Sequence, residues 1–218
     1  MKTELHLHTS EVSACGHVSA RDGVNAYKSM GYDCIVVTDH FSPYFVDRCY
    51  NSGITDIKEE YLRGYREAKD EGDKIGLTVL LGTEVCLSES NNDYLVYGVC
   101  EDMFDNPDIL KLPIAKFSEY CKQKGYLLYQ AHPFRNHMKI VKPEFLFGIE
   151  VNNANPRHDS RNAVSQLWAD INRLHAISGS DYHQTMDVGR GGIITNKPFT
   201  TTAELLEILK NDDYTLIK

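Results

Sequence analysis

Two histidines separated by one residue stand near the start of the chain, in Glu4-Leu5-His6-Leu7-His8-Thr9. Leu alternating with His is a strand pattern. Side chains alternate faces along a strand, so both imidazoles project to one side, with Leu5 and Leu7 on the other. Their Cα atoms then lie about 6–7 Å apart, from where two rings can converge on one cation. Further along, metal-capable side chains recur where apolar runs end. His17 lies in the loop after the first strand, and Thr38-Asp39-His40 follows Cys34-Ile35-Val36-Val37. Glu84 follows Leu77 to Leu81, His132 follows Tyr126 to Gln130, and Asp181-Tyr182-His183 follows His175 to Ser178. Imidazole and carboxylate are donors suited to Zn, Mn or Fe. One histidine at a strand end is most often a satisfied structural residue, but the recurrence of the theme in one chain is not explained that way. Asp181 and His183 repeat the spacing of His6 and His8, and in a closed barrel the first and last strands are neighbours.

The elements that must position these residues alternate between strand and helix. The pattern predicts a helix capped by Ser19 with Asp22 and stopped by Gly31. A loop containing Pro43 and Gly53 leads to a helix on which Ile57, Tyr61, Tyr65 and Ala68 share a face, ending at Gly72. Asp93 to Val99 reads as a strand, and a helix runs from Pro113 to Gly125. Phe147 to Val151 is a strand followed by the turn Asn152-Asn153-Ala154-Asn155-Pro156. Ser160 caps a helix carrying Val164, Leu167, Trp168 and Ile171. Thr201 and Glu204 form a capping box for the last helix, and Tyr214 to Ile217 closes the chain as a strand. With 218 residues and no repeat or linker, one α/β domain spanning 1–218 is expected. A doubly wound open sheet is the rival architecture. No Gly-x-Gly-x-x-Gly or Gly-Lys-Ser/Thr loop supports its nucleotide-binding forms. Histidines and carboxylates at several strand ends favour a largely parallel barrel with its site at the C-terminal face.

The formal net charge of −8 argues against nonspecific binding to DNA or to a membrane through a basic face, but leaves room for an anionic substrate beside bound cations. Six cysteines occur without a Cys-x-x-Cys pair, so a disulfide framework or a cysteine zinc site is not indicated. The absence of a signal-like N-terminus or a long apolar run leads to the expectation of a cytoplasmic protein.

His6-Leu7-His8-Thr9, Thr38-Asp39-His40, Gly82-Thr83-Glu84, Ala131-His132-Pro133 and Gly179-Ser180-Asp181-Tyr182-His183, in this order, resemble the motifs of the PHP (polymerase and histidinol phosphatase) family. The resemblance extends to Gly148-Ile149-Glu150-Val151-Asn152-Asn153 and Gly189-Arg190-Gly191-Gly192. It implies a distorted (β/α)7 TIM-like barrel holding two or three divalent ions, Zn, Mn or Fe, and metal-dependent phosphoester hydrolysis. By similarity, His6, His8, Glu84 and Asp181 hold one ion and His17, His40 and His183 another. Glu84 bridges to a further ion bound by His132. One position departs: many relatives carry a histidine in the strand after the Glu motif, where this chain has Asp93-Tyr94-Leu95-Val96-Tyr97-Gly98. Asp93 could substitute there or stand in a solvated turn.

The resulting expectation is a phosphoesterase that hydrolyses a small phosphate monoester through metal-activated hydroxide, with a small phosphorylated metabolite as its partner. Arg135 and Arg190 are placed to clamp phosphate oxygens, and His183 to stabilise the departing alkoxide. Hydrolysis of a carboxyl ester, lactone or amide is the alternative at the same centre, followed by an exonuclease-like phosphodiesterase. A non-catalytic metal module is a further reading. Asn153 is read as lining the pocket or capping a turn, and His137, His158 and His175 as structural.

Overall fold

The computed structural model describes every residue from Met1 to Lys218. Its first half holds β1 (Lys2–Leu7), α1 (Ala20–Ser29), β2 (Cys34–Val37), β3 (His40–Phe41), α2 (Pro43–Asn51), α3 (Ile57–Ile75), β4 (Thr78–Cys86) and β5 (Asp93–Tyr97). The second half holds α4 (Ile114–Lys124), β6 (Leu127–Gln130), β7 (Gly148–Asn153), α5 (Asn162–Asn172), β8 (His175–Gly179), β9 (Gly192–Thr195), α6 (Thr202–Asn211) and β10 (Tyr214–Ile217).

In the sheet, β1, β2, β4, β5, β6, β7 and β8 follow one another. Just past β8, Tyr182 forms a parallel bridge with Leu7; its N–H donates to His6 O at 3.1 Å and its carbonyl accepts from His8 N at 3.0 Å. That bridge returns the ring to its first strand, giving a distorted seven-stranded barrel. Strands β9 and β10 extend the sheet outside the ring from β1. The sheet is less parallel than the β/α alternation predicts: β5 is antiparallel to both β4 and β6, and β9 to β1 and β10. For β4 and β5 the reason is the Leu87–Asn92 connection, too short for the crossover that a parallel pair needs.

The phase of β1 also differs from simple alternation. A register shift between Glu4 and Leu7 turns Leu5 to the barrel side, where it packs with Val36, Leu80, Tyr129 and Ile177. Leu7 instead packs outward with Val24 and Tyr27 of α1 and Ala68 of α3. Leu205, Ile208 and Leu209 of α6 join the barrel-side cluster. The largest apolar layer lies outside the barrel, where Phe45, Tyr61, Leu62 and Phe117 of α2, α3 and α4 cover Val85, Val96 and Ile149.

Helix ends follow the capping rules at some positions and depart from them at others. Ser19 accepts from Asp22 N, and the Thr201–Glu204 capping box is formed. Helix α3 runs past Gly72 to a left-handed cap at Gly76. Gly72 serves packing instead, because a Cβ there would sit 2.6 Å from Leu77 O and Val79 Cγ2. Helix α2 occupies what reads as a loop. Its start carries a recognisable signal, Ser42 accepting from Phe45 N with Pro43 in the first turn. The N-cap of α5 is Arg161, not Ser160, whose buried hydroxyl faces Asn153 and Arg135. On α5, Val164, Leu167 and Ile171 are exposed, while Ser165 and Ala169 face inward.

Candidate metal centre

Strand ends deliver the metal-capable side chains to one mouth of the barrel. His6 comes from β1 and His8 directly follows it, and His40 of β3 pairs directly with Glu84 of β4. His132 follows β6, and Asp181 and His183 follow β8. Their donor atoms form three groups, each with its atoms within 4.8 Å of one another: His6, His8 and Asp181; His6, Glu84 and His132; His8, His40 and His183. Glu84 lies among them, fully buried. His6 Nε2 is 3.3 Å from its Oε1 and His132 Nε2 3.2 Å, while His8 Nε2 and His40 Nδ1 are each 3.2 Å from its Oε2. None of these contacts has hydrogen-bond geometry, so both carboxylate oxygens are buried without a hydrogen-bond partner. A buried carboxylate in that state is costly unless a cation compensates it.

Neighbouring residues fix which ring nitrogen faces inward. His6 Nδ1 is 2.9 Å from Glu150 Oε1. Ser13 Oγ donates to Asp39 Oδ1 at 2.6 Å, so it accepts from His8 Nδ1 at 3.2 Å and from His40 N at 3.0 Å. His183 Nδ1 donates to Asp181 O at 2.8 Å. In neutral His6, His8 and His183 the Nε2 lone pairs therefore face the centre, and those of His6 and His8 meet at 3.1 Å. Two lone pairs at that distance call for a proton or a metal ion between them. Divalent ions fit this donor set: imidazole and carboxylate only, with supporting carboxylates behind the rings.

The electrostatics agree. Burial pushes the His8 imidazole down, but the Asp181 and Glu84 carboxylates outweigh it and raise His8 to about 9. Burial lowers His40 to about 3, and burial beside His8 lowers His183 to about 4, keeping both neutral donors. Burial pushes the Glu84 carboxyl up, yet His6 and His40 hold it well below the usual range. Asp181 is depressed in the same way, with His6, His8 and Arg135 around it. The backbone is left-handed at His132 (φ 29°) and Asp181 (φ 50°), strain of the kind that clusters at functional sites.

The grouping differs from the expected one at His17. It lines the cleft but is exposed and belongs to none of the three groups; His8 takes its place with His40 and His183. The loop instead brings Cys15 Sγ to 3.1 Å from His183 Nε2, while the His17 backbone N–H donates to His183 O. Asp93 faces the centre, 3.9 Å from His132 Nε2, and burial near Glu84 raises its carboxyl to about 7. Arg135 reaches Asp181 Oδ2 at 2.7 Å and Asn153 Oδ1 at 2.8 Å. Arg190 does not line the cleft, because its Nε donates to Met186 O on the exposed surface. His158, read as structural, does line it, together with Arg157 and Asn155. Sequence reasoning also missed Glu150, Asp39 and Ser13 behind the rings. Glu150 lies within a motif of the resemblance, and that was its one available signal.

The PHP domain family profile matches residues 4–214. The chain belongs to the PHP domain family. No curated protein sequence matches it. Among solved structures, it is similar to a two-domain protein of Bacteroides vulgatus ATCC 8482 containing a predicted PHP-like metal-dependent phosphoesterase. The TM-score is 0.72 at 17% identity over 99% of this chain, which spans 64% of that protein. An amidohydrolase of Chromobacterium violaceum, with bound sulfate and no metal, aligns at TM-score 0.57 and 16% identity over 96% of this chain and 97% of that one. A lesion-specific endonuclease of Pyrococcus furiosus aligns at 0.60 and 11% identity over 99% of this chain and 57% of that one. The chain thus has the fold of this family, with residues that could hold metal ions gathered at the barrel mouth.

Proposed function

We propose that the PHP chain hydrolyses a small phosphate monoester in the cleft at the barrel mouth. The observation that carries this reading is the buried, unpartnered Glu84 carboxylate, with four imidazole nitrogens 3.2–3.3 Å away. Arg135 beside it supports a phosphate ligand. His6, His8 and Asp181 would hold one divalent ion, and Glu84 and His132 a second, with Asp93 in reach. His40 and His183 would hold a third beside Glu84, since the one free nitrogen of His6 and of His8 can serve a single ion each. Bound divalent ions supply Lewis acidity and bring the pKa of water toward neutrality. Zn, Mn and Fe all suit the donors.

The chain's own residues do the rest. Arg135 presents a guanidinium to the phosphoryl oxygens, which suits bidentate anion recognition. Asn153 and Ser160 hold that guanidinium in place, and Arg157 and His158 border the same cleft, about 260 Å³ in volume. Glu150, Ser13 and Asp39 keep the rings turned inward. Such a volume suits a phosphoryl group rather than a long polyanion, and the net charge of −8 opposes a nucleic-acid strand outside the cleft.

The endonuclease neighbour, one such structure holding a duplex with an abasic lesion, keeps phosphodiester cleavage as the second reading. The test is kcat/KM on sugar, amino-alcohol and aromatic monophosphates against single-stranded DNA and RNA ends and a carboxyl ester. Monoester turnover lost in His6→Ala, and a KM raised at least about tenfold in Arg135→Met with metal content unchanged, supports the proposal. Efficient strand or carboxyl-ester cleavage without monoester turnover overturns it.

A further inference from the structure

The metal cleft opens into a second, larger cavity. Cys15, His40 and Asp93 line both, so the two meet at the donor groups. The second cavity measures about 540 Å³, within the range of small-molecule sites. Its chemistry contrasts with that of the cleft. Val12, Phe45 and Leu87 back one side and continue into the largest core layer, while Ser42, Ser88, Ser90 and Asn91 lie along the other. Tyr44 stands at the rim with 67% of its surface exposed, next to Phe45 on α2. The cation on this wall, Arg48, donates to Val12 O, and its guanidinium lies 5.4 Å from the Phe45 ring. No carboxylate lines the cavity except Asp93 at the shared edge.

We infer that this cavity receives the leaving group and selects a phosphate ester with an uncharged, aromatic-bodied alcohol portion. The inference rests on the phosphoesterase reading above. With the phosphoryl group beside Arg135 in the polar cleft, the ester oxygen points toward His40 and Asp93, and the rest of the substrate enters the apolar cavity. A polyol can pair some hydroxyls with Ser42, Ser88, Ser90 or Asn91, but the rest would meet the apolar side of the cavity at Tyr44, Phe45 and Leu87, where they lose water without gaining partners. An amino alcohol would bring a cation toward Arg48 with no carboxylate on the wall to receive it. A flat ring fits between the apolar wall and Tyr44, in stacked or edge-on contact. In the reaction, a water oxygen bonds to phosphorus and the phosphorus–oxygen bond to the alcohol breaks, its electron pair staying on that oxygen. The water gives up a proton as it bonds to phosphorus and the departing oxygen takes one up, releasing the alcohol and inorganic phosphate.

The experiment compares 2-naphthylmethyl phosphate with glycerol 2-phosphate, both esters of alkyl alcohols, so that leaving-group acidity does not decide the result. Metal-loaded protein is expected to prefer the naphthylmethyl ester at least about tenfold in kcat/KM, and Tyr44→Ala to reduce that preference about fivefold. A second readout needs no turnover: 2-naphthalenemethanol added to metal-free protein should shift the amide resonances of Tyr44, Leu87 and Ser88. Monoester hydrolysis with equal kcat/KM for the two esters, and no shifts at those amides, overturns the leaving-group pocket and leaves the phosphoesterase reading standing. Shifts at those amides with no phosphate ester hydrolysed overturn the phosphoesterase reading and the leaving-group role with it.

Discussion

Replacing Asp187 tests whether one buried carboxylate holds the loop that carries His183. Asp187 Oδ2 accepts from the backbone N–H of His183 at 3.0 Å, from that of Gln184 at 2.8 Å and from Arg157 Nη2 at 2.8 Å. Its Oδ1 accepts from Arg157 Nη1. Burial pushes this carboxyl up, but Arg157 and the two N–H groups outweigh burial and hold it below its ordinary value. A depressed carboxylate contributes stability above its unfolded pKa of about 3.9 and loses it as pH falls through the folded value. Asp187→Asn keeps one oxygen for the N–H groups but turns an amide donor toward Arg157, at a cost of about 1.5–3 kcal/mol. Asp187→Ala leaves two N–H groups and the guanidinium unpaired. A broken buried pair costs about 3–5 kcal/mol, and the lower end applies because the Arg157 side chain is 29% exposed. Urea unfolding at pH 7 should show these losses, and the gap between wild type and Asp187→Asn should narrow as pH falls below about 4. Looser anchoring of His183 should also lower the metal content of folded Asp187→Asn. Both variants unfolding within about 0.5 kcal/mol of wild type at pH 7 would refute the reasoning.

Four further outcomes are expected. Ser13→Ala removes the hydroxyl that fixes His8 Nδ1, and chelator competition should show metal affinity weakened about 10–100-fold; wild-type affinity would remove Ser13 from this role. Because His8 is raised to about 9 without metal, affinity should climb roughly tenfold per pH unit from about 6.5 to 9 and then level, whereas a flat profile would contradict the displaced proton. The metal-free protein should run the other way, holding the His8 contribution below about pH 6.5 and losing it as pH rises through 9. Gly179→Ala would place a Cβ 2.4 Å from His6 Cβ and 2.8 Å from Glu150 Oε1, so it should lower both metal content and Tm; normal metal stoichiometry would count against that packing.

Strand ends were legible in the sequence because they carry a rule: an apolar run, then a metal-capable residue. His40, Glu84, His132, Asp181 and His183 obey it, His6 and His8 show instead in their alternation with Leu, and the fold brings all seven together. What stayed hidden depends on distance in three dimensions. The phase of Leu5 is set by the offset of β1 against β2, which no single strand encodes. His17 and Cys15 share one loop, and spacing cannot say which of them reaches His183. Arg190 follows a glycine in a motif, yet its side chain is taken up by Met186 O four residues back. Helix α2 was readable from Ser42-Pro43, although Pro43 and Gly53 suggested a loop.

The carboxylates at this mouth divide by how they are satisfied. Glu4 accepts from the N–H groups of His6 and Ser180 and from the Tyr27 hydroxyl, and Asp39 from Thr9 and Ser13. Glu150 accepts from His132 N and Asn153 Nδ2 while it faces His6 Nδ1. These three sit behind the rings with their lone pairs in use, so each fixes a strand end or a tautomer. Glu84 differs, since neither of its oxygens has a hydrogen-bond partner. The protein satisfies the carboxylates that position the site and leaves unsatisfied the one at its centre. Leaving a buried carboxylate in that state would destabilise an ordinary core by several kcal/mol. It is tolerable where a cation completes it, so in this fold the cost of burying Glu84 becomes part of the affinity for the ion that relieves it.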